Sequence, residues 1–119
     1  MKVWGTGAPR RQFLYVDDAV DAGLFRMRLD EERLHDLLNQ PVPAVNIGTE
    51  GDIAVADLAR LIARIVGYGG RLEFDASRPD RAHCKSLDAS RLDRLGWRAT
   101  VSLEEGIRRT DEWCESVAP

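Results

Sequence analysis

This 119-residue chain is poor in the residues that metal, redox and membrane chemistry require. It has two cysteines, two histidines and no apolar run approaching the ~18–20 residues of a membrane span. Cys84 and Cys114 show no metal-ligand spacing and no disulfide framework, so two free thiols are expected and no metal is. The net charge of −3 gives no global field to recruit nucleic acid or an anionic membrane. Any anion must therefore be held by a local basic group. No charged-then-apolar leader opens the chain, which makes the cytoplasm the default location. One further absence matters more: no G-x-G-x-x-G or G-x-x-G-x-x-G follows any expected strand. Hydride transfer from a dinucleotide needs such a turn, opening a helix, to seat the pyrophosphate.

What is present reads as one ordinary globular domain, 44% hydrophobic and 31% charged, able to bury roughly two thirds of its unfolded-chain surface. Residues 11–16 suggest a short strand, followed by a helix with Asp17 near its N-cap and Val20, Leu24, Phe25, Met27 and Leu29 apolar. The helical pattern continues from Asp30 to Gln40, until Pro41 and Pro43 stop it. Ala44 to Gly48 reads as a buried strand with a turn over Gly48–Gly51. Leu58, Leu61, Ile62 and Ile65 then fall at helical spacing, closed by Gly67; with Ala54 before it, that helix lacks a side-chain cap and its start is expected to fray. Arg71 to Phe74 reads as a strand, 75–87 as an irregular loop, and Ser90–Leu95 as a short helix ended by Gly96. Ser102 and Glu105 have capping-box spacing ahead of a last amphipathic helix. Trp97 and Trp113 are expected as core anchors.

Three stretches form a recognisable series. The first is Trp4-Gly5-Thr6-Gly7 through Arg11-Gln12-Phe13-Leu14-Tyr15-Val16-Asp17-Asp18. The second is Val45-Asn46-Ile47-Gly48. The third is Arg78-Pro79-Asp80 with Lys85-Ser86-Leu87-Asp88 and Leu95-Gly96-Trp97. Together they resemble the GDP-L-fucose synthase family, within the extended short-chain dehydrogenases and NAD-dependent epimerases/dehydratases, over nearly the whole chain. The "G-x-G…R-x-F-x-Y-V-D-D" and "N-x-G" patterns mark the superfamily. The Trp before Gly5 and the Lys-x-Leu-Asp…Leu-Gly-Trp tail are narrower and point to the fucose synthase branch.

In that family these segments lie past the middle of the polypeptide. The resemblance therefore implies an α/β fold: residues 1–119 as the C-terminal, nucleotide-sugar-binding portion, with short strands, about four helices and an incomplete Rossmann sheet. Apolar surface is expected along Val45–Ile47 and the 19–29 helix, where the rest of such a sheet would pack.

The resemblance also implies a site. Arg11 occupies the family's substrate-binding Arg position, and its planar fork suits a diphosphate. Lys85 matches the binding Lys and would add a point charge. Trp4 occupies the substrate-contacting Trp position, where an aromatic face packs on a ring. Asp80 could accept from guanine N–H groups. The chain departs from the family at Arg81-Ala82-His83-Cys84, where Gly-Thr-Pro-Arg is usual; losing Gly and Pro alters the loop's backbone preferences. His83 and Cys84, being adjacent, do not form a credible nucleophile–base pair. His35 reads as a surface residue, and Asp17-Asp18 as a helix cap and dipole partner.

The family reaction is 3,5-epimerisation of GDP-4-keto-6-deoxymannose and NADPH reduction of its 4-keto group. Its proton-transfer Tyr needs a Lys four residues on, but Tyr15 is followed there by Ala19 and Tyr68 by Leu72. No catalytic residue and no cofactor site are thus expected here, NADP(H) belonging to a complete family enzyme. The partners implied are a GDP-sugar and either an N-terminal Rossmann fragment or a second copy. A non-catalytic binding or regulatory module, and a piece of a UDP- or dTDP-sugar epimerase or dehydratase, stand as the other readings.

Overall fold

The computed structural model describes residues 1–80 and 82–118. Arg81, part of the segment that departs from the family pattern, lies outside the described residues. Among the described residues, five short strands and five helices follow in the order β1 (Lys2–Trp4), β2 (Arg10–Arg11), α1 (Val16–Met27), α2 (Glu31–Leu38), β3 (Ile53–Ala54), α3 (Val55–Ile65), β4 (Glu73–Asp75), β5 (Cys84–Lys85), α4 (Ser90–Arg94) and α5 (Leu103–Val117). They make two small sheets. In one, β1 runs parallel to β4 with Trp4 opposite Asp75. In the other, β2 is central, antiparallel to β3 and parallel to β5, with Arg11 opposite Ile53 on one side and Lys85 on the other.

Helix α1 begins earlier than expected. Its N-cap is Tyr15, with no side-chain cap, so Asp17 sits in the first turn and not at the cap. Both acids still complement the positive end of the helix dipole, but Asp18 does more: buried, it accepts from the Thr100 N–H (3.1 Å), the Thr100 hydroxyl (2.9 Å) and the Val101 N–H (2.9 Å). A buried carboxylate is tolerable only when its oxygens are occupied in this way. The helical pattern after Met27 is broken, because Asp30 leaves the helix and caps a new one by accepting from Arg33 N–H at 2.8 Å. This raises the helix count from about four to five.

The strand expected over 44–48 does not form. No described strand pairs with its backbone; Val45 and Ile47 instead pack as half-buried side chains on the core cluster of Ala22, Leu92 and Trp97. Among its described residues, the loop expected over 75–87 is irregular except at Asp75, the last residue of β4, and at β5, which pairs with β2. Trp97 is the core anchor expected, its indole N–H donating to Asp21 at 2.8 Å. Trp113 is not: α5 packs through its first half, where Gly106 faces Tyr15, and Trp113 further along is 63% exposed. Ser102 caps α5 by accepting from Glu105 N–H, while the Glu105 carboxylate turns to Arg108 and Arg109, so only half the capping box is made.

The start of α3 is ordered without a side-chain cap. Its Val55 and Ala56 N–H groups donate to the carbonyls of Pro9 (3.0 Å) and Gly7 (2.9 Å). Backbone oxygens do the work usually given to Ser or Asp, which also ties α3 to the loop that carries β2.

Candidate functional site: a basic and aromatic cleft

The N-terminal loop builds the site. Gly5 and Gly7 have φ of +87° and +79°, in the left-handed region open mainly to glycine. A Cβ on Gly7 would stand 2.8 Å from both the Ala56 Cβ and the Phe74 ring, so the loop also passes too close to its neighbours for any side chain. These two turns swing Trp4 at the end of β1 and Arg11 at the end of β2 toward one cleft of about 520 Å³, lined also by Val55, Arg78, Pro79 and Asp80.

Three of the four residues expected at the site, Trp4, Arg11 and Asp80, line this cleft. Trp4 is 73% exposed. Arg11 donates to the carbonyls of Arg10 (2.6 Å) and Ala82 (2.9 Å). Lys85 does not line the cleft; it lies exposed on β5, in register with Arg11. Asp80 is engaged within the chain, accepting from the Thr6 N–H (2.9 Å) and the Thr6 hydroxyl (2.5 Å). The Thr6 hydroxyl and N–H, helped by the charge of His83, hold the Asp80 carboxyl below its ordinary range.

The sequence reading missed Arg78 as a site residue. Its guanidinium lies 5.2 Å from the centre of the Trp4 ring, within cation–π range, and puts a second arginine in the cleft. The available signal is its position directly before Pro79 in the Arg-Pro-Asp segment that also supplies Asp80.

The neighbouring groups on β2 and β5 pair off differently. Arg10 donates to Asp52 at 2.6 Å, and the Cys84 thiol lies 3.3 Å from the other Asp52 oxygen. The thiol thus donates to a carboxylate. Both cysteines are free and exposed. A larger groove of about 1020 Å³ shares only Arg11 with the cleft. Its carboxylates Glu50, Asp52, Asp88 and Asp93 outnumber Arg11 and Arg98, which suits an anionic ligand poorly. Among the described residues no cluster of His, Cys, Asp and Glu could hold a metal ion, and no helix is long and apolar enough to cross a membrane.

Residues 1–48 match the model of the NAD-dependent epimerase/dehydratase family. Over 111 residues the chain is 43% identical to the GDP-L-fucose synthase of Escherichia coli K12, an alignment covering 93% of this chain and 35% of that enzyme. The chain is thus similar, over nearly its whole length, to part of the enzymes of the NAD-dependent epimerase/dehydratase kind. Solved members agree with its fold. A GDP-6-OMe-4-keto-L-xylo-heptose reductase from Campylobacter jejuni superposes with a TM-score of 0.87 at 34% identity, over 97% of this chain and 33% of that one. A GDP-mannoheptose C4 reductase from the same organism, with NADP bound, gives 0.80 at 33% identity, over 96% and 34%. The chain thus spans about a third of the length of the family members it matches.

Proposed function

We propose that this chain is the C-terminal, substrate-holding portion of a GDP-L-fucose synthase-like NADP-dependent epimerase/reductase, working in the cytoplasm, and that it grips the nucleoside diphosphate of a GDP-sugar without delivering hydride itself. The observation that carries this reading is the convergence of Trp4, Arg11 and Arg78 on one cleft, with Lys85 on the adjoining strand. A planar guanidinium can donate two parallel hydrogen bonds to a diphosphate, Lys85 adds a compact charge, and the Trp4 ring offers a flat apolar surface to a base or sugar.

The residues present do not fit NADP(H). Gly5-Thr6-Gly7 follows a strand but leads into β2, not into a helix, so its amides do not form the strand–turn–helix cradle for a pyrophosphate. When bound in a complete family enzyme the cofactor supplies hydride. This chain's share is to orient the sugar nucleotide.

Competition binding with GDP, UDP and dTDP tests the reading. GDP is expected to win; a preference for a pyrimidine nucleotide would move the chain to another branch of the family. Mixing it with a fragment that carries the glycine-rich strand and the Tyr-x-x-x-Lys pair is expected to restore reduction of the 4-keto sugar. If GDP binds but no mixture is active, the chain is a binding or regulatory module. NADPH turnover by the 119-residue chain alone would refute the division of labour.

A further inference from the structure

The carboxylate of Asp80 lies in a cleft suited to an anion, where an unengaged negative charge would repel a diphosphate. Its oxygens are turned elsewhere. One takes the Thr6 N–H and the other the Thr6 hydroxyl. The first presses against Gly5 so closely that it leaves no room for a Cβ there. The same two segments are joined a second time upstream: Trp4 is in register with Asp75, and the Gly5 N–H donates to the Asp75 carbonyl at 3.0 Å. The loop from Asp75 to Asp80 is therefore pinned at both ends to the Trp4-Gly5-Thr6 turn.

Between the pins the loop folds back on itself. The Arg78 N–H donates to the Asp75 carbonyl at 3.1 Å, and the Asp75 carboxylate accepts from the Ser77 N–H and hydroxyl. Pro79 then fixes φ just before the second pin. The residue this arrangement presents is Arg78, whose guanidinium covers the Trp4 ring. Thr6 also accepts from the Ala8 N–H at 3.1 Å, which extends the clamp toward the strand carrying Arg11.

We propose that Asp80 is a positioning residue: by clamping Thr6 it holds the 75–80 loop so that Arg78 lies over Trp4, and it makes no contact with the nucleotide base. This deepens the reading of the cleft as a nucleotide site and rests on it for the ligand. The clamp itself is tested without ligand.

With 5-fluorotryptophan incorporated into the 119-residue chain, the fluorine resonance of Trp4, assigned by its loss in Trp4→Phe, reports the ring's surroundings. Asp80→Ala, Thr6→Val and Arg78→Leu are each expected to move it, whereas Thr6→Ser, which keeps both donors, leaves it in place. The Trp97 resonance, from the core, stays fixed in all four and shows that the fold is intact. Asp80→Ala and Thr6→Val are further expected to weaken GDP and UDP by the same factor, about tenfold, the equivalent of ~1.4 kcal/mol. A Trp4 resonance unmoved by Asp80→Ala overturns the proposal, and so does a loss of GDP binding with UDP binding unchanged, the signature of a direct base contact. If the wild-type chain binds neither nucleotide, the ligand reading falls while the Trp4 resonance still decides the clamp.

Discussion

Asp18 carries a charge at 5% exposure. Burial alone raises its pKa, but hydrogen bonds from Val101 and Thr100, aided by the charge of Arg109, outweigh it and leave the carboxyl below its ordinary value. A carboxyl whose pKa is depressed by folding contributes stability above the unfolded value, and that contribution is lost as pH falls through the folded one. The urea midpoint is accordingly expected to hold steady from neutral pH to about 5, then drop on acidification past the ordinary aspartate value of 3.8. Asp18→Ala, which orphans two backbone donors and a hydroxyl, is expected to cost about 3 kcal/mol by denaturant unfolding and to flatten that acid limb. At the cleft, Arg11→Lys keeps the charge and loses the fork, so calorimetry is expected to show GDP binding about tenfold weaker. The sequence made Asp18 look like a helix-end acid because the partners that bury it lie more than eighty positions away. Arg11 was legible because its motif is local.

The elements that shape the cleft are joined through main-chain groups, which composition does not reveal. Helix α3 begins on the carbonyls of Pro9 and Gly7, so the frayed start expected from Ala54 is not found. Gly7→Ala is expected to cost about 2 kcal/mol, seen as a lower melting temperature, because it strains a positive φ and drives a Cβ into Ala56 and Phe74. Ser102→Ala removes the one side-chain cap of α5 and is expected to cost about 1 kcal/mol in the same measurement. Periodicity located α3, α4 and α5 well, since each has a clear apolar face or a glycine stop. It misjudged 44–48, whose apolar residues resemble a strand but find no backbone partner. It also missed β5, a two-residue strand defined only by its pairing with β2.

The molecule has little interior for its length. Its radius of gyration is 17.7 Å, against about 13.5 Å for a compact domain of this size. Among the described residues, the buried hydrophobic core is Ala22, Leu37, Ala59, Leu92 and Trp97. Val16, Val20, Leu24 and Met27 fall on one exposed stripe of α1, Met27 at 82%, as expected for the 19–29 helix; Val45 and Ile47, expected with them, are half-buried instead. Such a stripe favours association. Sedimentation is expected to show self-association and an apolar dye to bind, and the double substitution Val20→Glu, Met27→Glu to abolish both. A monomer that binds no dye would contradict this. The seam between β2 and β5 has its own consequence. It sets two like cations, Arg11 and Lys85, abreast on strands only two residues long, where mutual repulsion works against the pairing. A polyanion lodged there would be mortar for the sheet: occupancy and cohesion would form one linked equilibrium, in which pyrophosphate is expected to raise the melting temperature and added salt to loosen its hold.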